Sequence, residues 1–126
     1  MHKSKLAGFI IDCQTRDLAT AASFWGSALG MALAELPGAE GDKYVRLTDR
    51  QHGLHIEVQT VSHPSRVHLD IEADDIEAEV KRLEDLGAKR VEQIQTWWVM
   101  EAPTGQRFCV VRKSSPDFDR KATAWP

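Results

Sequence analysis

The sequence predicts an α+β fold built from two consecutive βαβββ modules, and three observations lead to it. Strand-like and helix-like segments follow one another in the same order twice along the chain. Two helix ends, Leu29-Gly30 and Leu86-Gly87, fall at equivalent places in the two halves. A chain of 126 residues suits one domain, long enough to bury a core without disulfide or metal support. A single domain over 1–126 is therefore expected, with module one at about 5–60, module two at about 66–112 and a C-terminal tail at 113–126.

Residues 5–13 (KLAGFIIDC) are short, apolar and rich in β-formers, and read as the first strand. Asp17 then caps a helix whose apolar positions Leu18, Ala22, Trp25 and Leu29 recur at helical spacing, and Gly30 stands where a left-handed C-cap is wanted. Three strands follow, at 31–35, 43–48 and 54–60, separated by Pro37-Gly38 and by the polar stretch 49–53. The pattern restarts with the alternating strand 66–73 (RVHLDIEA). Asp74-Asp75 open a second helix with the stripe Ile76, Val80, Leu83 and Leu86, and Gly87 ends it. Asp74 and Glu77 have capping-box spacing, and Glu77 with Lys81 is a favourable i,i+4 pair. Strands at 89–94, 96–101 and 106–112 complete the second module, the last two joined by the turn Ala102-Pro103-Thr104-Gly105. In the tail, Phe118, Ala122, Ala124 and Trp125 would be wasted on a free chain end, so it is expected to pack on the body or on a second subunit.

Composition removes several classes of function. A net charge of -3 with no basic stripe leaves nothing to neutralise a run of phosphates, so nucleic acid is not an expected partner. No apolar stretch approaches the roughly 20 residues that span a bilayer, and the N-terminus lacks the apolar core of a signal peptide, which points to a cytoplasmic protein with no membrane partner. Cys13 and Cys109 sit in apolar surroundings of different segments, as small buried hydrophobes suited to a reducing compartment. No GxGxxG, P-loop, GxSxG or HExxH occurs, so nucleotide cofactors and serine or zinc hydrolysis lack support. His52 and His63 lie beside Gly53 and Pro64 in expected loops and read as solvated.

Strand parity sorts the residues that could do chemistry. In 54–59 the apolar set Leu54, Ile56 and Val58 leaves His55, Glu57 and Gln59 on the other face. In 67–72 the set Val67, Leu69 and Ile71 leaves His68, Asp70 and Glu72. If both apolar sets meet helices, Glu57 and His68 look into one curved interior; a solvated sheet face is the plain alternative. In 96–101, Trp97 and Val99 share one side and Trp98 and Met100 the other, so one tryptophan at least should line the inner face.

With Arg16-Asp17-Leu18, Phe24-Trp25 and Leu29-Gly30-Met31 in the first half, and VHLDI at 67–71, Leu86-Gly87-Ala88 and APTGQRFCV at 102–110 in the second, the whole chain resembles the glyoxalase-like and bleomycin-resistance-like domains of the vicinal-oxygen-chelate superfamily. The resemblance implies two modules whose mainly antiparallel sheets curl into a half-open barrel, with helices outside, around one small-molecule pocket, frequently in a homodimer. In metal-dependent members, inward side chains from the first and last strands of each module hold a divalent ion. Two of those positions fall here on Glu57 and His68, and the other two on Ile10 and Cys109.

Isoleucine does not ligate metal, and a cysteine in place of a carboxylate softens the site. A catalytic ion usually has about three protein ligands and an open position, so a third would come from Cys109, His55 or Asp12. With a divalent metal (Zn, Ni, Mn or Fe), the expected function is a lyase or isomerase acting on a substrate with neighbouring oxygens, with Glu57 moving the proton. Without one, it is a ligand-binding or sequestering protein, with Trp97 or Trp98, Met100 and Phe108 as pocket walls and Glu57 and His68 orienting the ligand. An iron-dependent ring-cleaving dioxygenase fits less well, since it uses two histidines and a carboxylate. The candidate pocket thus comprises Ile10, Asp12, His55, Glu57, His68, Trp97, Trp98, Met100, Phe108 and Cys109; in a third reading Glu57 and His68 form only a structural pair.

Overall fold

A computed structural model describes all residues, Met1–Pro126, and shows the element order βαβββ twice. The first module comprises β1 (His2–Gln14), α1 (Leu18–Leu29), β2 (Ala32–Glu35), β3 (Tyr44–Thr48) and β4 (His55–Val61). The second comprises β5 (Arg66–Ala73), α2 (Ile76–Asp85), β6 (Lys89–Ile94), β7 (Trp97–Glu101) and β8 (Arg107–Arg112). The tail adds α3 (Phe118–Lys121) and β9 (Thr123–Trp125), and the Pro37-Gly38 break contains a short 3-10 helix at Gly38–Asp42. Most strand pairs are antiparallel; β1 with β4 and β5 with β8 are parallel. No helix is long and apolar enough to cross a membrane.

The residues form two compact units, Gly8–Val67 and Met1–Ala7 with His68–Pro126, so the first residues of β1 belong with the second module. In the first unit the strand order is β2-β3-β4-β1. Phe9, Ile11, Val45, Leu47, Ile56 and Val58 pack on Leu18, Ala21, Ala22 and Trp25 of α1. The helix begins where expected, Asp17 accepting from the Thr20 backbone N–H at 3.1 Å and from the Thr20 hydroxyl at 2.7 Å. It ends at Gly30, whose φ of 68° is the left-handed cap. Leu29, expected on the buried stripe, is 43% exposed.

In the second unit the order is β5-β8-β7-β6, and Ala73, Met100, Phe108 and Val110 pack on Val80 and Leu83 of α2. The capping box of Asp74 and Glu77 does not form. Asp75 is the cap, accepting from Ala78 N at 3.0 Å, while Asp74 Oδ1 accepts from Lys3 N at 2.8 Å and Glu77 pairs with Arg90 rather than Lys81. A neighbouring strand thus supplied a better donor for Asp74 than the helix end did. Asp75→Ala should therefore cost about 1 kcal/mol, read as a lower urea midpoint, whereas the Asp74 variant should leave α2 capped.

The tail packs on the second unit. Phe118 is 2% exposed, β9 pairs antiparallel with the start of β1, and Trp125 Nε1 donates to Ser4 Oγ at 2.9 Å.

Candidate functional site

Each unit carries a polar sheet face opposite its helix. In the first, alternation along β4 sends Ile56 and Val58 into the α1 core and leaves His55, Glu57 and Gln59 on the other side. Register places Ile10 beside Glu57 and Asp12 beside Gln59 across the parallel β1/β4 pair. Tyr44, Arg46 and Thr48 of β3 stand opposite Gln59, Glu57 and His55. His55 Nε2 lies 3.4 Å from Glu57 Oε2, Gln59 Nε2 donates to the Tyr44 hydroxyl at 3.0 Å, and buried Asp12 lies 3.8 Å from Arg66 Nε. Glu57 is therefore set beside an imidazole at ion-pair distance. Cys13 points to the helix side, where burial pushes its thiol above the ordinary value, as suits a packed rather than a reactive cysteine.

In the second unit, β5 pairs parallel with β8 so that Asp70 stands beside Cys109. His68, two residues before Asp70, shares its face, and one donor atom from each of His68, Asp70 and Cys109 lies within 4.8 Å of the others. His68 Nε2 is 3.5 Å from Asp70 Oδ1, and that buried oxygen has no hydrogen-bond partner. Buried carboxylate oxygens are rarely left so, and a cation among the three donors would satisfy it. A donor set of one nitrogen, one oxygen and one sulfur would suit zinc, with His68, Asp70 and Cys109 as the residues to hold it.

Of the residues expected to bind metal, the structure brings together His68 and Cys109 in one unit and His55 and Glu57 in the other. Asp70, not among the expected ligands, forms the three-donor group with His68 and Cys109. Its signal was present in the alternation that grouped it with His68.

The pocket wall needs correction. Trp98, Met100 and Phe108 lie in the α2 core, Met100 being wholly buried. Register pairs Met100 with Phe108 and Trp98 with Val110, so all three share the helix side. Trp97 is on the opposite side, with Val99, whose partner is Cys109. The apolar set of β5 is likewise split: Ile71 packs on the α2 core, whereas Leu69 is 52% exposed and Val67 58%.

Comparison with known proteins agrees with this architecture. The glyoxalase-like domain family matches residues 8–111. Among curated proteins no match is found. Among solved structures, a hypothetical protein from Bacillus halodurans C-125 superposes with a TM-score of 0.63 at 12% identity, over 88% of this chain and 95% of that one. A methylmalonyl-CoA epimerase from Mycobacterium tuberculosis gives 0.58 at 14% identity, over 86% and 87% of the two chains. A mutant 4-hydroxymandelate synthase from Streptomyces coelicolor gives 0.55 at 12% identity, over 90% of this chain and 50% of that one. These identities speak to fold alone. Two βαβββ modules with parallel first and last strands, and a family match covering most of both, make the chain a glyoxalase-like domain of the vicinal-oxygen-chelate superfamily.

Proposed function

We propose that this protein binds one divalent metal, zinc by the chemistry of its donors, through His68, Asp70 and Cys109, and works as a lyase or isomerase on a small molecule with neighbouring oxygens. The observation that carries the reading is the three-donor group with a buried Asp70 oxygen that nothing else satisfies. When bound, such an ion supplies Lewis-acid polarisation of a substrate oxygen. The side chains do the rest. Asp70 would supply the oxygen donor, His68 an imidazole nitrogen and Cys109, as the thiolate, the soft donor. Glu57, paired with His55, takes the proton-transfer role. A methylmalonyl-CoA epimerase is among the proteins that share this fold. The same reading has a cytoplasmic homodimer, its two free cysteines kept reduced, with neither nucleic acid nor membrane as partner.

The second reading is a metal-free binding protein. Ile10 favours it, since this side chain, 3% exposed, puts an inert group where metal-dependent relatives carry a ligand. Trp97, on the face of Cys109, offers a stacking wall. A ring-cleaving iron dioxygenase is not favoured, because the donor group holds one histidine rather than two.

Elemental analysis of untagged protein separates the readings. About one equivalent of zinc is expected, falling at least about tenfold in His68→Ala and in Cys109→Ser, and kept in Glu57→Gln. A metal-free wild type whose tryptophan fluorescence responds to aromatic ligands would establish the binding protein instead.

A further inference from the structure

We infer that Arg46 is an anion-binding residue, and that the face it occupies takes the carboxylate group of an acidic small molecule. This rests on the small-molecule part of the proposed function and not on the metal.

The inference begins with the alternation of β3. Val45 and Leu47 enter the α1 core, which sends Tyr44, Arg46 and Thr48 to the polar face. Arg46 is half-buried, as are Arg82, Arg90 and Arg107. Those three are each paired with glutamate: Arg82 with Glu79 at 2.8 Å, Arg90 with Glu77 at 3.0 Å and Glu84 at 3.1 Å, and Arg107 with Glu101 at 3.2 Å. Arg46 alone among the four makes no hydrogen bond or ion pair.

Its surroundings explain why no protein group fills that role. Glu57 stands opposite Arg46 in the β3/β4 register, yet its carboxylate lies 3.4 Å from His55. Asp12, farther along the same face, lies 3.8 Å from Arg66. Gln59 and Tyr44 are bonded to each other. On the other side, the partner across β2 is Ala34, whose methyl group offers the guanidinium nothing polar.

A partly desolvated cation without a counter-charge is costly, and an incoming anion relieves that cost. The guanidinium presents a planar fork of N–H donors that matches two coplanar oxygens, which favours a carboxylate. A carboxylate held there would lie on the sheet face that also carries Glu57, the cross-strand partner of Arg46.

The test is isothermal titration calorimetry with malonate, and separately with inorganic phosphate, at constant ionic strength. The proteins are wild type, Arg46→Gln, Arg46→Lys and His68→Ala, each checked for folding by its thermal melt. Wild type should bind malonate saturably, Arg46→Gln should weaken this by about tenfold to a hundredfold, and Arg46→Lys should recover only part. Binding kept within threefold in His68→Ala, alongside a loss of zinc, would show that anion binding at Arg46 does not depend on the metal. Malonate binding by a wild type that holds no metal would overturn the metal reading and leave this one intact. Absence of saturable binding, equal binding by Arg46→Gln, or tighter binding of phosphate than of malonate would each overturn the assignment.

Discussion

Replacing Glu79 with alanine should cost about 3–5 kcal/mol of stability, one of the largest effects of any single substitution in this chain. Glu79 is on α2 and fully buried. Its Oε1 accepts from His2 Nε2 at 2.7 Å and from Arg82 Nε at 2.8 Å, while Oε2 accepts from Arg82 Nη2 at 2.8 Å. The Arg82 guanidinium in turn lies 3.8 Å over the Trp125 ring. One carboxylate therefore joins α2, the start of β1 and, through Arg82, β9. Removing it strands a half-buried cation and a buried imidazole with no acceptor. Urea denaturation should show the loss, with Glu79→Gln retaining part of the stability because the amide oxygen still accepts. A midpoint change worth less than about 1 kcal/mol would contradict this account.

The same carboxylate sets the acid limit of the fold. Burial raises the pKa of Glu79 and of Glu72, but the donors around each outweigh it. These are Arg82, His2 and Ser4 for Glu79, and Ser115, Ser114 and Lys5 for Glu72. Both acids are thus held below the ordinary glutamate value of 4.5. A folded-state pKa below the unfolded one contributes stability that is complete above about pH 4.5 and drains as pH falls through the lower, folded value. Wild type should therefore lose stability steeply below about pH 4.5, and Glu79→Ala, already lacking one such group, should have a shallower dependence there.

Gly8→Ala should destabilise by about 3 kcal/mol, because the added methyl has no space that a side-chain movement can open. A Cβ on Gly8 would lie 1.9 Å from the carbonyl oxygen of His55 and 2.7 Å from its nitrogen, all of it backbone. Gly8 pairs with His55 in the parallel β1/β4 ladder, so relief requires the two strands to separate where His55 begins β4. The variant should combine a lowered urea midpoint with altered backbone amide chemical shifts at His55 and its neighbours in β4. A wild-type midpoint would mean that β1 and β4 do not approach this closely at Gly8.

What the sequence determined by itself was local. Apolar spacing with Asp17 and Gly30 at its ends located α1, and alternation over Arg66–Ala73 located β5 with its observed bounds. Both signals arise within a few residues, since helix and strand periods are set by backbone geometry. For the same reason His55 and Glu57 were correctly separated from Ile56 and Val58. The tertiary structure decided what depends on strands distant in sequence. The parallel register of β5 with β8 brings Asp70 to Cys109 and so into the candidate donor group, and nothing local encodes that pairing. In Trp97-Trp98-Val99-Met100 both faces are apolar, so alternation could not say which one meets α2; pairing with Phe108 and Val110 settled it for Trp98 and Met100. Asp74 shows the reverse, a local capping signal overridden by the nearby N–H of Lys3. Periodicity tells which residues share a face, whereas only the contacts between strands tell what that face touches.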